Sequence, residues 1–355
     1  MGLRHFWILL LAAGTALPQE HPMEVRRHKE HSQQSGFMQE GMHHAVAKGV
    51  KLEVKSDAAA HVFTLRIGPM VLPARTPHGK MPQPPDLVWT LPVSGWLLAY
   101  HPKLVAANGA SVVGTVLHHV AFWNENRSDF LCPNKEEHIF GAGGELTDWA
   151  PIPGYGYRVE KGDRIRIETM IHNPTETRYD KAYLEITIPY LDDTTPAPPK
   201  NYYPAWMDVG GCGQSSYDLL PGPSEKAGAV TVKHSGALLG VGGHMHDYAK
   251  QLVLEDSRSK EPVVVLHAKV DLEGHLLSMP VVLFSQTSGY ALAAGDKLTV
   301  TASYDNGSGR VLPDGAMGIV VGCFVPEDNA AAFAALRHPA RPEPHDMGRM
   351  SHDEH

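Results

Sequence analysis

Adjacent histidines at 118 and 119, a lone histidine at 172, a His244-x-His246 pair and Met317 all fall in apolar, strand-like stretches of this 355-residue chain. They divide into two sets of three nitrogen and sulfur donors: His118, His119 and His172, then His244, His246 and Met317. Such donors suit copper far better than calcium or magnesium, which take oxygen ligands, and three per ion is one short of a closed structural zinc site. A thioether favours the reduced, monovalent copper ion. Two copper ions held this way would make a redox protein, and the open coordination positions point to an oxygenase. Taken singly the residues carry little, because adjacent histidines are commonly surface or packing detail and a strand methionine is commonly core filler. The ordered set carries the weight.

The elements that must position these donors impose conditions. In an ideal strand His118 and His119 point to opposite faces. Both reach one ion only if the strand twists or bulges there, or if the rings coordinate through the nitrogen nearer the backbone. His172 closes a β run just before the turn signal Asn173-Pro174. His244 and His246 are two apart on a strand, so their rings share a face and can converge. Gly242 and Gly243 before them permit close backbone approach or a bulge that aims the rings. Met317 lies within the apolar run AMGIVVGCF. Groups that orient metal ligands from behind are needed, and Asp247, Tyr248 and His234 are the candidates.

Along the chain, short runs rich in branched and aromatic residues alternate with Gly, Pro and Asn turn signals, from VKLEV and HVFTLRIG to DKLTVTASYD and AMGIVVGCFV. This grammar predicts an all-β protein of two tandem antiparallel β-sandwich domains, with one large sandwich as the alternative. The expected N-terminal sandwich covers residues 49–193 and the C-terminal one 205–328. A proline-rich segment at 194–204 forms an extended connector between them. Helical periodicity is nearly absent except in NAAAFAALRH, where one short helix is expected. Residues 19–48 and 329–355 crowd histidine and methionine into polar segments, read as flexible arms that either capture metal or are merely solvated.

Histidine is abundant, with 22 copies beside 13 methionines, and the net charge is −8. That charge and the lack of basic clusters in the body argue against nucleic acid or anionic lipid as partners. Residues 1–18 combine a short basic start, an apolar core and small residues suited to a cut near Ala16, which reads as an export signal and implies a secreted or periplasmic protein. The apolar run is short for a membrane span, a retained anchor being the alternative, and no later run approaches the ~20 residues one needs. Of the three cysteines, Cys132, Cys212 and Cys323, a Cys212–Cys323 disulfide is favoured because both lie in the same half, leaving Cys132 as a thiol. The oligomeric state is not legible. Asn126-Arg-Ser and Asn306-Gly-Ser match the N-glycosylation pattern.

The order of these donors resembles that of the copper type II, ascorbate-dependent monooxygenases, the family of peptidylglycine α-hydroxylating monooxygenase and dopamine β-hydroxylase. The segments that carry the resemblance are LHHVAFW, YGYRVEKGDRIRIETMIHNP, GGHMHDYAKQLVL, SYDNGSG and DGAMGIVVGCFVP, spread over Gly49 to Pro326. The resemblance implies two jelly-roll-like sandwiches facing each other across a solvent-filled cleft. His118, His119 and His172 would hold an electron-storing copper, and His244, His246 and Met317 the copper where oxygen binds. It implies insertion of one oxygen atom of O2 into a C–H bond of a small substrate, with ascorbate as reductant. The chain departs from the pattern where the peptidylglycine enzyme grips a substrate carboxylate: those positions read Gly242, Ile319 and Val321 here. They cannot form charge-assisted bonds, so the expected substrate is uncharged or apolar. A secreted copper-binding protein for capture, storage or delivery is the alternative, and a structural β-sandwich protein with incidental histidines is a third reading.

Overall fold

The computed structural model describes residues 45–144, 148–284 and 288–339. The expected signal, nearly all of the N-terminal arm and the tail beyond 339 lie outside the described residues, with most of the histidines and methionines assigned to them. The protein is all-β, and among the described residues its strands form five sheets. A seven-stranded sheet is centred on Val62–Leu72 and Tyr179–Asp192. A four-stranded sheet orders Leu87–Thr90, Arg164–Ile171, Leu117–Ser128 and Glu136–Gly143. A six-stranded sheet is centred on Leu312–Pro326 and Gly236–Met245, and a second four-stranded sheet on Lys297–Asn306 and Ala249–Asp256. A short hairpin pairs Lys269–Val270 with Leu276–Ser278. Pairing is antiparallel between these strands except where Lys200–Asn201 runs parallel to Tyr155–Val159.

The reason for strand formation is visible in the side-chain alternation. In Tyr179–Asp192 every second residue from Ala182 to Tyr190 is buried, and in Val62–Leu72 Phe63, Leu65 and Ile67 are. Leu117–Ser128 is different, with Val120 to Asn124 buried in unbroken succession. A strand buried on both faces needs such a run. One face contributes Phe122 to the first hydrophobic cluster, while the other presents Trp123 to His138 and, behind it, Trp206.

Buried apolar side chains gather in two clusters, one built from strands up to Tyr202 and the other chiefly from Tyr203 onward. The exception in the second is Phe130–Cys132, which leaves the end of Leu117–Ser128 and packs against Tyr203 and Phe324. This crossing overturns the expected disulfide. Cys132 bonds Cys212, with Cα atoms 5.6 Å apart, and Cys323 is the free thiol. Cys323 lies on Leu312–Pro326 against the first cluster, away from the loop that carries Cys212. Membership of one sequence half was a poor guide to distance.

Two further expectations are modified. The proline-rich connector is short, because Lys200–Asn201 and Tyr203–Asp208 already pair as strands. The short helix expected in NAAAFAALRH forms, Asn329–Leu336, so the segment assigned to a flexible tail opens with a packed element, capped by Asp328 Oδ1 accepting from Ala331 N at 2.9 Å, with Ala332 and Leu336 buried. From its end, Arg337 reaches Asp163 (3.1 Å), and the His338 amide donates to the Asn126 carbonyl (3.0 Å). Asn306 is buried, its amide donating to the carbonyls of Leu219 and Arg310, so that glycosylation pattern is a structural turn.

A charged group sits beneath this helix. Arg127 is fully buried with Glu137 (3.6 Å) and Asp163 (3.8 Å), and its guanidinium lies over the rings of Tyr157 and Phe333. Burial pushes the Glu137 carboxyl up to about 7, outweighing the opposing pull of Arg127. A carboxyl whose folded pKa exceeds its unfolded value takes up a proton more readily when folded. Its stabilising contribution is complete below the unfolded value of 4.5 and is lost as the pH rises toward 7. The melting temperature of the wild type relative to Glu137→Gln is therefore expected to fall across that window. A flat or rising difference would contradict the assignment.

Candidate metal centre

Leu117–Ser128 pairs with Arg164–Ile171 through a register shift between Leu117 and His119. The bulge falls at His118 and supplies the irregularity that adjacent histidines need to cooperate. The His118 and His119 ring centroids are 5.0 Å apart, and those of His118 and His172 are 5.3 Å apart. His172 follows directly on Arg164–Ile171. Its amide donates to the Val116 carbonyl at 3.1 Å, and its Nε2 bonds the Thr115 carbonyl. With Nε2–H so engaged, Nδ1 is the nitrogen left to face an ion. Burial holds His172 below the ordinary imidazole range, against the opposing effects of the Thr115 bond and Asp247, which favours the neutral form that ligates.

In the second set, the His244 and His246 rings are 5.4 Å apart and nearly perpendicular. Gly236–Met245 pairs with Leu312–Pro326 so that His244 faces Ile319 and Met245 faces Gly318. The ladder ends there, just before His246 and Met317. The buried Tyr304 hydroxyl ties the two backbones together. It accepts the amides of His246 (3.0 Å) and Met317 (3.1 Å) and donates to the Met317 carbonyl. Gly243 serves packing: a Cβ there would meet Met279 Cε at 2.8 Å and Leu252 Cδ1 at 3.0 Å. The irregularity in this strand lies earlier, between Leu238 and Gly240.

The two sets meet. The His118 and His246 centroids are 5.9 Å apart, and His119 and His244 line one pocket. The residues suit a metal by donor type and by ring spacing, although no three of these histidines bring their ligand nitrogens mutually within 4.8 Å. A first-row metal binds imidazole nitrogen at about 2.0 Å, with the ring centroid roughly 1 Å beyond, so rings sharing an ion tetrahedrally have centroids roughly 5 Å apart. Three of the four ring pairs match that spacing closely. The sets are nonetheless more open than a closed cage. Among the described residues, the only three His, Cys, Asp or Glu donors with ligand atoms mutually within 4.8 Å are the exposed Asp271, Glu273 and His275. There Asp271 caps a turn, accepting the amides of Glu273 and His275.

Of the orienting candidates, Asp247 lies beside the site, close enough to raise the His172 pKa, while its carboxylate accepts the Leu276 amide at 2.9 Å. Tyr248 adopts a left-handed backbone (φ 66°) and braces the Asp271–His275 turn through its amide and the Gly274 carbonyl. His234 stacks on Phe130, within the second core. The structure adds two residues that motif reading missed or left without a role. Tyr304 lies in the quoted SYDNGSG turn. His138 is buried, its ring stacked on Trp123 (4.2 Å) and Trp206 (3.5 Å). Nothing in EEHIFGAGG marks His138 apart from any other strand histidine, and the hint available was the small-residue run after it.

No protein-family model matches the chain. It is similar to a probable copper-dependent oxygenase of Cochliobolus lunatus, 24% identical over 210 residues, covering 54% of this chain and 64% of that protein. It is also similar to a probable copper-dependent oxygenase of a Phoma species, 24% identical over 214 residues, covering 54% of this chain and 51% of that protein. The chain thus spans less than two thirds of the length of these curated relatives. Among solved structures, a peptide-N(4)-(N-acetyl-β-D-glucosaminyl) asparagine amidase aligns with a TM-score of 0.35 and 9% identity over 73% of this chain and 96% of that one. Among the described residues no helix is long and apolar enough to cross a membrane.

Proposed function

We propose that the chain is a copper-dependent oxygenase that inserts one oxygen atom of O2 into a C–H bond of a small, uncharged substrate, with ascorbate or a similar one-electron donor as reductant. Two coppers bind per chain, one at His118, His119 and His172 and the other at His244, His246 and Met317. The observation that supports this reading is that two histidine sets from different sheets come together, with ring spacings of 5.0 to 5.4 Å within each set. The names of the two fungal relatives support it, and the motif order supports the ascorbate-dependent subtype.

Copper at these sites supplies the one-electron chemistry that oxygen activation requires. The chain does the rest. Thr115 fixes the His172 ring through Nε2, and Tyr304 fixes the backbones of His246 and Met317. Gly242, Ile319 and Val321, all buried, offer a substrate no charge. The Cys132–Cys212 disulfide supports an exported protein, since such bonds persist in oxidising compartments.

The deciding measurement is the copper content and oxygen consumption of the chain trimmed before His44 and after His338. Two coppers per chain and ascorbate-driven oxygen uptake are expected. Retained copper without uptake, or more than two coppers in the full chain with the excess lost on trimming, would favour capture and storage instead. Tyr304→Phe is expected to weaken copper at the methionine-containing set by roughly 10–100-fold, the usual cost of losing a group that orients ligands. Chelator competition should show one of the two coppers affected and the other unchanged.

A further inference from the structure

Beside the two histidine sets lies a pocket of about 30 Å³, partly open to its surroundings, whose lining includes His119 and His244. Its lining is almost wholly apolar despite these imidazoles. Apolar walls offer a water few of the two to four polar partners it needs to settle, and they favour an apolar guest such as xenon. The volume holds a diatomic molecule or one or two waters and is too small for an organic ring.

Its dimensions are set by particular residues. Trp206 forms one wall, its indole N–H donating to the His138 carbonyl and its ring stacked on that of His138. Gly141 opposes it, and a Cβ at that position would come within 2.9 Å of Trp206 Cη2 and 3.4 Å of His138 Nε2. Val321 closes the side belonging to the strand opposite His244. A clamped indole, a glycine that admits no methyl and a valine thus keep an apolar void open beside both sets.

We infer that this cavity is a dioxygen pocket, holding the gas beside the two histidine sets before it reacts. The identity of the occupant rests on the reading of the chain as an oxygenase; the capacity for an apolar gas does not. Xenon tests the cavity on the metal-free full chain. Solution xenon NMR is expected to show one bound site that Val321→Leu abolishes and Val321→Ala retains. The copper- and ascorbate-supplied protein then tests the occupant. The KM for oxygen should rise about fourfold in Val321→Leu, the effect of losing one methylene-sized volume of apolar space. Copper stoichiometry and melting temperature serve as controls for folding. No bound xenon, or xenon displaced by Val321→Leu with an unmoved KM, overturns the inference. A chain that takes xenon but consumes no oxygen ends the oxygenase reading and the dioxygen assignment with it, leaving a cavity for apolar gas.

Discussion

Replacing Met317 by leucine is expected to abolish most ascorbate-driven oxygen consumption while leaving the fold intact. Met317 is 5% exposed on a central strand, so a bland role as core filler predicts the reverse. Leucine nearly conserves the volume, and such swaps usually cost less than about 1.5 kcal/mol. A purely packing methionine would therefore tolerate the change. A thioether ligand would not, because leucine offers no donor to a copper held with His244 and His246. Even residues one step behind a metal ligand cost 10–100-fold when removed, so a loss of at least about 100-fold is expected, together with weaker Cu(I) binding at one site of two. Met317→Ala confounds the question with a cavity worth about 2–5 kcal/mol. Equal activity in the leucine variant would remove Met317 from the site.

The largest effect on stability is expected at Arg127. Its side chain is fully buried between Glu137 and Asp163 and covered by Phe333 of the terminal helix. Removing one partner of a buried ionic group leaves the others uncompensated and costs about 3–5 kcal/mol. Arg127→Met should thus lower the melting temperature by roughly 10 °C at pH 7.5. Burial already raises Glu137, and without Arg127 its carboxyl is held still further above the unfolded value. The folded variant then gains more from protonation than the wild type, so the deficit should shrink as the pH falls toward 5. A deficit independent of pH would show that Arg127 acts through packing alone.

The strands were legible because their burial alternates, as in Tyr179–Asp192, or runs unbroken, as in Leu117–Ser128. The candidate donors could be named from sequence because few side chains bind soft metals and their order is uncommon; that His118 and His246 would come within 5.9 Å could not. What connects the two halves was not legible. Phe130–Cys132 reads as an ordinary turn, yet it packs into the second core and carries the disulfide there. Nor does composition show that His138 and Trp206, from different halves, stack at 3.5 Å. The bulge at His118 could be stated only as a condition, because ladder irregularities depend on the partner strand. A shared local design was also hidden. Asn173 and Asn306 each donate to two carbonyls and accept from a hydroxyl two residues on, Thr175 or Ser308, with near-identical bonds. The segments NPTET and NGSGR share little beyond that asparagine and the hydroxyl two residues on.

The Cys132–Cys212 bond has a consequence for the covalent connectivity of the molecule. Its two ends flank the proline-rich connector, so the polypeptide from 132 to 212 is a closed ring. Once oxidised, the backbone at 193–199 is a redundant tether, and a protease that nicks it leaves a single molecule. The sequential order of the halves is then mechanically irrelevant, and two separately synthesised pieces joined only through sulfur would remain one unit.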